Sequence, residues 1–334
     1  MNLYTTLKKL CAAPSVSGRE ARVRDIIKEK IAPLVDDVTV DTLGNLIAHK
    51  KGSEGEGRIM LCAHMDEIGL LVNFVEDSGY IRVATLGGVD LGALAYSKVV
   101  SENGTVGVIV PDAKAKLDKL KADDMYIDIG ASNKREAERR VKIGDSFVAA
   151  PEIYRLAGKR IAGRPLDDRV GCLVLLELAE RLSKVELKND VYFVFSVQEE
   201  VGCRGSVPAT YGIQPTESLC FDVTLTGDAI GSSPMACSVG KGVAVKIKDA
   251  SAICHEQVVN TLLDIAKKEK IAVQREIISA GGTDTGSMQL TAGGSMAGAL
   301  SIPTRNIHTS VEVCDMGDVE ACIDLSEKYI LARG

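Results

Sequence analysis

Residues 191–202 read Val-Tyr-Phe-Val-Phe-Ser-Val-Gln-Glu-Glu-Val-Gly. The stretch Val191–Val197 has the composition of a strand buried inside a sheet, and two adjacent carboxylates stand where it ends. Paired carboxylates at such a place repel each other and resist desolvation unless something compensates them. The simplest compensation is a cation. Glu200 can then ligate a metal while its neighbour Glu199, pointing elsewhere along the chain, handles protons.

Outward from this strand the pattern is one of alternating elements. Toward the C-terminus, Leu219–Asp222, Val243–Ile247, Ala272–Ile277 and Ala297–Ser301 read as strands. Helical patterns over Arg169–Leu182, Ser251–Lys268, Asp284–Leu290 and Asp318–Leu331 are interleaved with them. Toward the N-terminus, Ser17-Gly18-Arg19-Glu20 fits a capping box for a helix running to about Ile31, and Val38–Val40, Leu46–Ala48 and Ile59–Ala63 read as strands. The alternation predicts a three-layer α/β domain.

Between about Gly69 and Ala162 the texture changes to short β-like runs punctuated by glycine, with one short helix near Lys134–Glu138. This spacing predicts a small β-barrel or sandwich inserted into the α/β domain. The expected division is residues 1–68 with 163–334 as one domain and 69–162 as the insert.

The 334 residues are 46% hydrophobic and 26% charged, with a formal net charge of −6 and no long basic run. Nucleic acid and anionic membrane are therefore not the expected partners. No stretch reaches the 18 or so continuous apolar residues of a membrane span, and residues 1–13 lack a signal-peptide core. Nine cysteines are scattered without Cys-x-x-Cys pairs, which reads as reduced thiols in a cytoplasmic protein. Cys62 and Cys203 lie near the candidate site, either as small buried hydrophobes or as a thiol ligand or nucleophile.

Four histidines make each context easy to weigh. His49 and His255 are taken as ordinary residues. His64 and Asp66 follow the strand Ile59–Ala63, and residues two apart in an extended chain share a face. Asp66 is thus expected to hold the outer nitrogen of His64. Asp167 and Asp168 open the helix after residue 168; capping needs one of them, and the other is free to bridge two cations. Asp222 ends a strand among apolar neighbours, where an acid is costly unless paired. His308 lies in a polar loop after a strand. Each residue has an ordinary alternative as a solvated loop group, a helix cap or a buried hydrogen-bond hub. Together they form a mixed nitrogen and oxygen donor set, suited to zinc, cobalt or manganese. The surplus of acids points to two metals bridged by a carboxylate, about 3.5–4 Å apart, activating a shared water for hydrolysis.

Six motifs, in order, resemble a known family. They are Ala63-His64-Met65-Asp66-Glu67-Ile68-Gly69, Leu166-Asp167-Asp168-Arg169-Val170-Gly171, Gln198-Glu199-Glu200-Val201-Gly202-Cys203-Arg204-Gly205, Phe221-Asp222-Val223-Thr224, Gly281-Gly282-Thr283-Asp284 and Ser301 to His308. Their order and spacing are similar to those of metallopeptidase family forty-two, the tetrahedral, glutamyl-aminopeptidase-like enzymes. Residues 124–130 in the insert share the likeness. The segments Gly87–Leu94 and Pro111–Lys121 depart from it, which bears on oligomer geometry more than on chemistry.

The resemblance implies a dinuclear-metal aminopeptidase acting on peptides with a free N-terminus. It implies that the insert serves dimerisation and that dimers assemble into a hollow dodecamer. It places one metal on Asp167, Glu200 and His308 and the other on His64, Asp167 and Asp222, with Asp167 bridging. It makes Glu199 the general base and Asp66 the partner of His64, and it implies a cis peptide bond after the bridging aspartate. Asp284, Arg305 and Lys241 are candidates for the substrate pocket, or else a helix cap and surface charges. A metal-dependent deacylase of N-acyl amino acids is the alternative on the same fold. A glycosidase is disfavoured by an aromatic content of 4% with no tryptophan, and a non-catalytic scaffold is disfavoured because no expected ligand is missing.

Overall fold

The computed structural model describes residues 1–55 and 57–333. An eight-stranded mixed sheet forms the larger body, in the order Asp37–Val40, Leu46–Lys50, Asp190–Ser196, Arg58–His64, Glu217–Thr224, Met296–Pro303, Val243–Lys248, Val273–Ile277. Its central strands are parallel, with Ser196 opposite His64 and Cys220 opposite Cys62. Val191, Phe193, Val194, Phe195, Ile59, Leu61, Leu219, Phe221, Leu300 and Ile302 on these strands are almost wholly buried, as a sheet covered on both faces requires. Met60 and Cys62, two apart on Arg58–His64, share one face of the sheet. Met60 meets Thr210 of the helix Ser206–Ile213, and Cys62 meets Asp284 of the helix Asp284–Leu290. Arg169–Leu182 also packs on this strand, and the helices Leu3–Cys11, Ala21–Ile31 and Met316–Arg333 pack against Arg169–Leu182. The fold is therefore the expected three-layer α/β arrangement.

Arg169–Leu182 is apolar nearly all round and buried along most of its length, the pattern of a core helix. Asp168 caps it, its Oδ1 accepting from the Gly171 N–H at 2.9 Å. A Cβ on Gly171 would collide with that carboxylate, so only glycine fits beneath the cap.

The inserted strands close a six-stranded barrel, in the order Gly69–Val75, Ile81–Leu86, Met125–Asp128, Val106–Pro111, Lys98–Ser101, Ser146–Ala149. Inward-facing Leu70, Val72, Ile81, Ile109, Ile127 and Phe147 fill it, while Val106 and Val108 face out. The helix Lys134–Glu138 lies where its sequence placed it, capped by Asn133. Strands Glu152–Arg155 and Arg160–Arg164 do not join the barrel; they form a three-stranded sheet with Glu312–Asp315.

The expected capping box is corrected. No Glu20 or Ser17 side chain caps Ala21–Ile31. Glu20 is buried and accepts from the Gly18 and Gln198 N–H groups, while the Ser17 hydroxyl donates to Asp66. Tertiary partners outcompete the local motif for the same polar atoms. Helices Leu3–Cys11 and Ser206–Ile213 and strand Met125–Asp128 were not legible as elements; Ser206–Ile213 contains Pro208 and Gly212, both poor helix formers. Among the described residues no helix is long and apolar enough to cross a membrane.

Arg169 is the largest fully buried side chain. It donates to the carbonyls of Met65 at 3.0 Å, Leu10 at 2.6 Å and Ala13 at 3.2 Å, and sits 3.6 Å from buried Glu67. It thereby ties the first helix to the turn after His64. Arg169→Met strands a buried acid and three carbonyls, and should lower stability by about 3–5 kcal/mol. Urea unfolding of the two proteins measures the difference.

Candidate active site

Parallel strands place their carboxyl ends on one edge, where open α/β sheets bind ligands. Arg58–His64 delivers His64, Asp190–Ser196 delivers Glu199 and Glu200 through the following turn, and Glu217–Thr224 carries Asp222 near its end. Asp167 comes from the loop entering Arg169–Leu182, and His308 from the loop after Met296–Pro303. Six side chains, His64, Asp167, Glu199, Glu200, Asp222 and His308, line one cavity of about 250 Å³.

The geometry centres on Asp167. Its Oδ1 lies 3.1 Å from His64 Nε2 and its Oδ2 3.3 Å from His308 Nε2. His64 Nε2 is 3.8 Å from Asp222 Oδ1, and His308 Nε2 is 3.0 Å from Glu200 Oε2. His64, Asp167 and Asp222 each present one donor atom within 4.8 Å of the others, and so do Asp167, Glu200 and His308. The two groups share Asp167. Asp168 is the helix cap and also accepts from the His64 N–H, which leaves Asp167 as the aspartate that faces both histidines. The Asp167–Asp168 peptide bond is cis.

Asp66 sits beside His64 but holds it differently from the expectation. His64 Nδ1 meets the backbone carbonyl of Asp66 at 3.0 Å, while the carboxylate is 3.5 Å away. That carboxylate is taken by other donors, the Ser17 hydroxyl at 2.6 Å and the N–H groups of Glu199 at 3.0 Å and Glu200 at 3.2 Å. One aspartate thus orients the imidazole through its backbone and the two glutamates through its side chain.

The electrostatics follow from burial. Desolvation raises the proton affinity of Glu199, Glu200 and Asp168, and neighbouring acids add to it. Asp222 is pushed up to about 8, first by burial and then, against the pull of His64, by Asp167. Asp167 goes the other way. Burial opposes its charge, but hydrogen bonds with His308 and His64 hold it well below the usual carboxylate range. Burial also works against charge on His308, yet Asp167 and Glu200 bring it up to about 11.

Glu200 Oε1 is buried without a hydrogen-bond partner. An orphaned carboxylate oxygen among mutually repelling acids, facing two donor triads that share one aspartate, fits a pair of divalent cations.

Two groups near the site were not singled out by sequence. Glu312 accepts from the N–H groups of Leu166 at 2.6 Å and Asp167 at 3.1 Å, and from His308 at 3.4 Å. Its signal was an acid alternating with Val311 and Val313 on a strand, an unfavourable place without partners. Glu20, described above, steadies Gln198. Cys203, weighed as a ligand or nucleophile, belongs to neither triad; its thiol donates to Glu199 Oε1 at 3.2 Å, and burial followed by the charge of Glu199 keeps it protonated. Cys62 is wholly buried.

The substrate-pocket candidates lie outside the lining of this cavity. Asp284 is 1% exposed and does not line the cavity; its oxygens accept from Ser196 at 2.5 Å and Ser206 at 2.6 Å, bracketing the turn that carries Glu199. Arg305 forks onto Asp228 at 3.0 and 2.6 Å, and Lys241 is exposed away from the lining.

A family model described as M42 glutamyl aminopeptidase matches residues 44–325. A lysyl aminopeptidase of Pyrococcus furiosus is 35% identical over 340 residues, covering 98% of this chain and 96% of its own length. The structure of an aminopeptidase from the archaeon Desulfurococcus kamchatkensis superposes with a TM-score of 0.94 at 37% identity, covering 99% of this chain and 94% of that one. Pyrococcus horikoshii TET1 peptidase, described as able to assemble into a tetrahedron or a large octahedral shell, gives 0.89 at 35% identity with 99% of each chain covered.

The Arg305–Asp228 pair makes a pH prediction. The Arg305 hydrogen bond holds the Asp228 carboxyl down at about 2, below its ordinary 3.8. A folded-state value below the unfolded one means stabilisation that is complete above about pH 4 and is lost as pH falls toward 2. Arg305→Met should therefore lower stability at pH 5, and the gap to the parent should close on acidification. Urea midpoints of both proteins across that range check it; a pH-independent gap would contradict the pairing.

Proposed function

Since the chain belongs to the M42 glutamyl aminopeptidase family and is an aminopeptidase, we propose that it removes the N-terminal residue of peptides with a dinuclear metal centre and Glu199 as general base. The observation that carries this reading is the pair of donor triads sharing Asp167, with Glu199 beside them in one cavity. In it, Asp167, Glu200 and His308 hold one divalent cation and His64, Asp167 and Asp222 the other, zinc or cobalt, or manganese. When bound, the two cations would polarise the scissile carbonyl and lower the pKa of water.

The rest of the chemistry lies with the protein. Glu199 Oε1 is engaged by the Cys203 thiol, which leaves Oε2 to take the proton of the attacking water and return it to the leaving amine. Burial, then the acids Asp222, Asp284 and Glu200, raise its proton affinity against the pull of His64, the direction that suits a carboxylate shuttling a proton near neutral pH. Asp66 keeps both glutamates in register with His64, and Glu312 does the same for Asp167 and His308. Both act on backbone N–H groups, so the side chains of these residues stay free for the reaction.

In the same reading residues 69–162 are a dimerisation insert, and dimers assemble further. Phe74, Tyr80, Val106 and Val108 of the barrel are exposed and apolar, consistent with a surface that another subunit covers. Light scattering on the purified protein should give a mass far above the 35.5 kDa of one chain.

The decisive experiment compares matched peptides with free and acetylated N-termini, using chelator-stripped protein repleted with zinc, cobalt or manganese. Metal-dependent release of the first residue from free peptides alone supports the reading; cleavage of the acetylated series would replace it with a deacylase. Glu199→Gln should leave the metal content per chain intact and cut turnover by about 10²–10⁴-fold. His308→Ala should lose one of the two metals by elemental analysis; unchanged stoichiometry would remove His308 from the centre.

A further inference from the structure

The cavity extends from the metal-facing residues toward the sheet edge formed by Val243–Lys248 and Val273–Ile277. On this side the wall is Val223, Leu225, Ile278 and Ile307, completed by Thr224 and by the stretch from Ala280 to Thr283. One charged side chain lines it here, Lys246, among the described residues.

Lys246 faces internal acids. It is 0% exposed, and its Nζ lies 2.9 Å from Glu276 and 3.2 Å from Asp249, both equally buried. Two carboxylates face one ammonium, so the cluster carries one excess negative charge before any ligand arrives. Lys246 in turn stands between those acids and the cavity, for neither Glu276 nor Asp249 lines it. The wall threonines are committed as well. Thr224 donates to Glu276 at 2.8 Å, and the Thr283 hydroxyl lies 2.8 Å from that of Thr285. Arg305 is forked onto Asp228, and Asp284 is saturated by two serines.

Lys246 and Arg305 near this wall each have an internal ion partner, and most of the side chains that remain on it are hydrocarbon. We infer that this part of the cavity receives the side chain of the N-terminal residue and selects apolar residues, such as leucine and methionine, over both acidic and basic ones. The inference rests on the aminopeptidase reading above and names its substrate class. A glutamate side chain would be buried with no free cation and beside a cluster of net negative charge; a lysine would be buried with no free carboxylate. The order expected is apolar first, basic second, acidic last.

The test uses the metal-loaded native assembly with p-nitroanilides of leucine, methionine, lysine and glutamate. kcat/KM for leucine and methionine should exceed that for glutamate by at least about 10-fold, the low end of what pocket contacts discriminate, with lysine between. A preference for glutamate would make Lys246 a reader of carboxylates, and a preference for lysine would make the buried acids readers of cations; either overturns the inference and leaves the aminopeptidase reading intact. Absence of cleavage in all four, with acetylated peptides cut instead, would overturn both. Ile278→Glu, a wall position outside the catalytic groups, should shift the lysine-to-leucine ratio of kcat/KM upward by about 10-fold. An unchanged ratio in a folded, metal-loaded variant would show that this wall does not contact the N-terminal side chain.

Discussion

Like charges crowded into a dry edge of the sheet are the constraint around which this molecule is organised. Asp167, Glu199, Glu200 and Asp222 converge with two imidazoles at the carboxyl ends of buried parallel strands. Burial alone pushes Glu199, Glu200 and Asp222 toward their neutral forms. Such a cluster is a poor choice for stability and a good one for binding divalent cations, because the repulsion that the fold tolerates is what the ions relieve. The family membership of the chain and the two donor triads agree on that interpretation.

Holding these groups in place falls to a surrounding set of acids that do not enter the cavity. Asp66 grips the N–H groups of Glu199 and Glu200, Glu312 those of Asp167 and His308, and Asp284 the hydroxyls at either end of the Glu199 turn. Each accepts from neutral donors, which satisfies a buried carboxylate without cancelling the charge of the groups it positions. The barrel takes part too. A Cβ on Gly88 would come within 3.0 Å of His308 Nδ1, and the N–H of Asp90 donates to the His308 carbonyl, so the insert buttresses the one imidazole that comes from a loop.

The charged residues near the cavity wall follow the same economy. Lys246, Arg305 and Asp284 all lie close to the site in sequence or space, and each is spent on an internal partner.

Much of this was written in local pattern. The strand Val191–Val197 with its terminal glutamates, the His-x-Asp after Ile59–Ala63, and the helix opened by Asp168 are short-range signals, because burial and capping act over a few residues. The β-rich insert announced itself by the spacing of short apolar runs and glycines. What local pattern could not reveal was which polar atoms pair across long separations. Ser17 and Glu20 spell a capping box, yet their partners are Asp66 and Gln198; Asp284 looks like a pocket acid, yet it faces Ser196 and Ser206. Sequence determined the alternation of elements and the kinds of donor atoms available, since both depend on side-chain chemistry and its period. Only the tertiary structure decided that Asp167 rather than Asp168 faces both histidines, and that Lys246 at the approach to the site meets two internal acids, since those outcomes depend on distances between residues far apart in the chain.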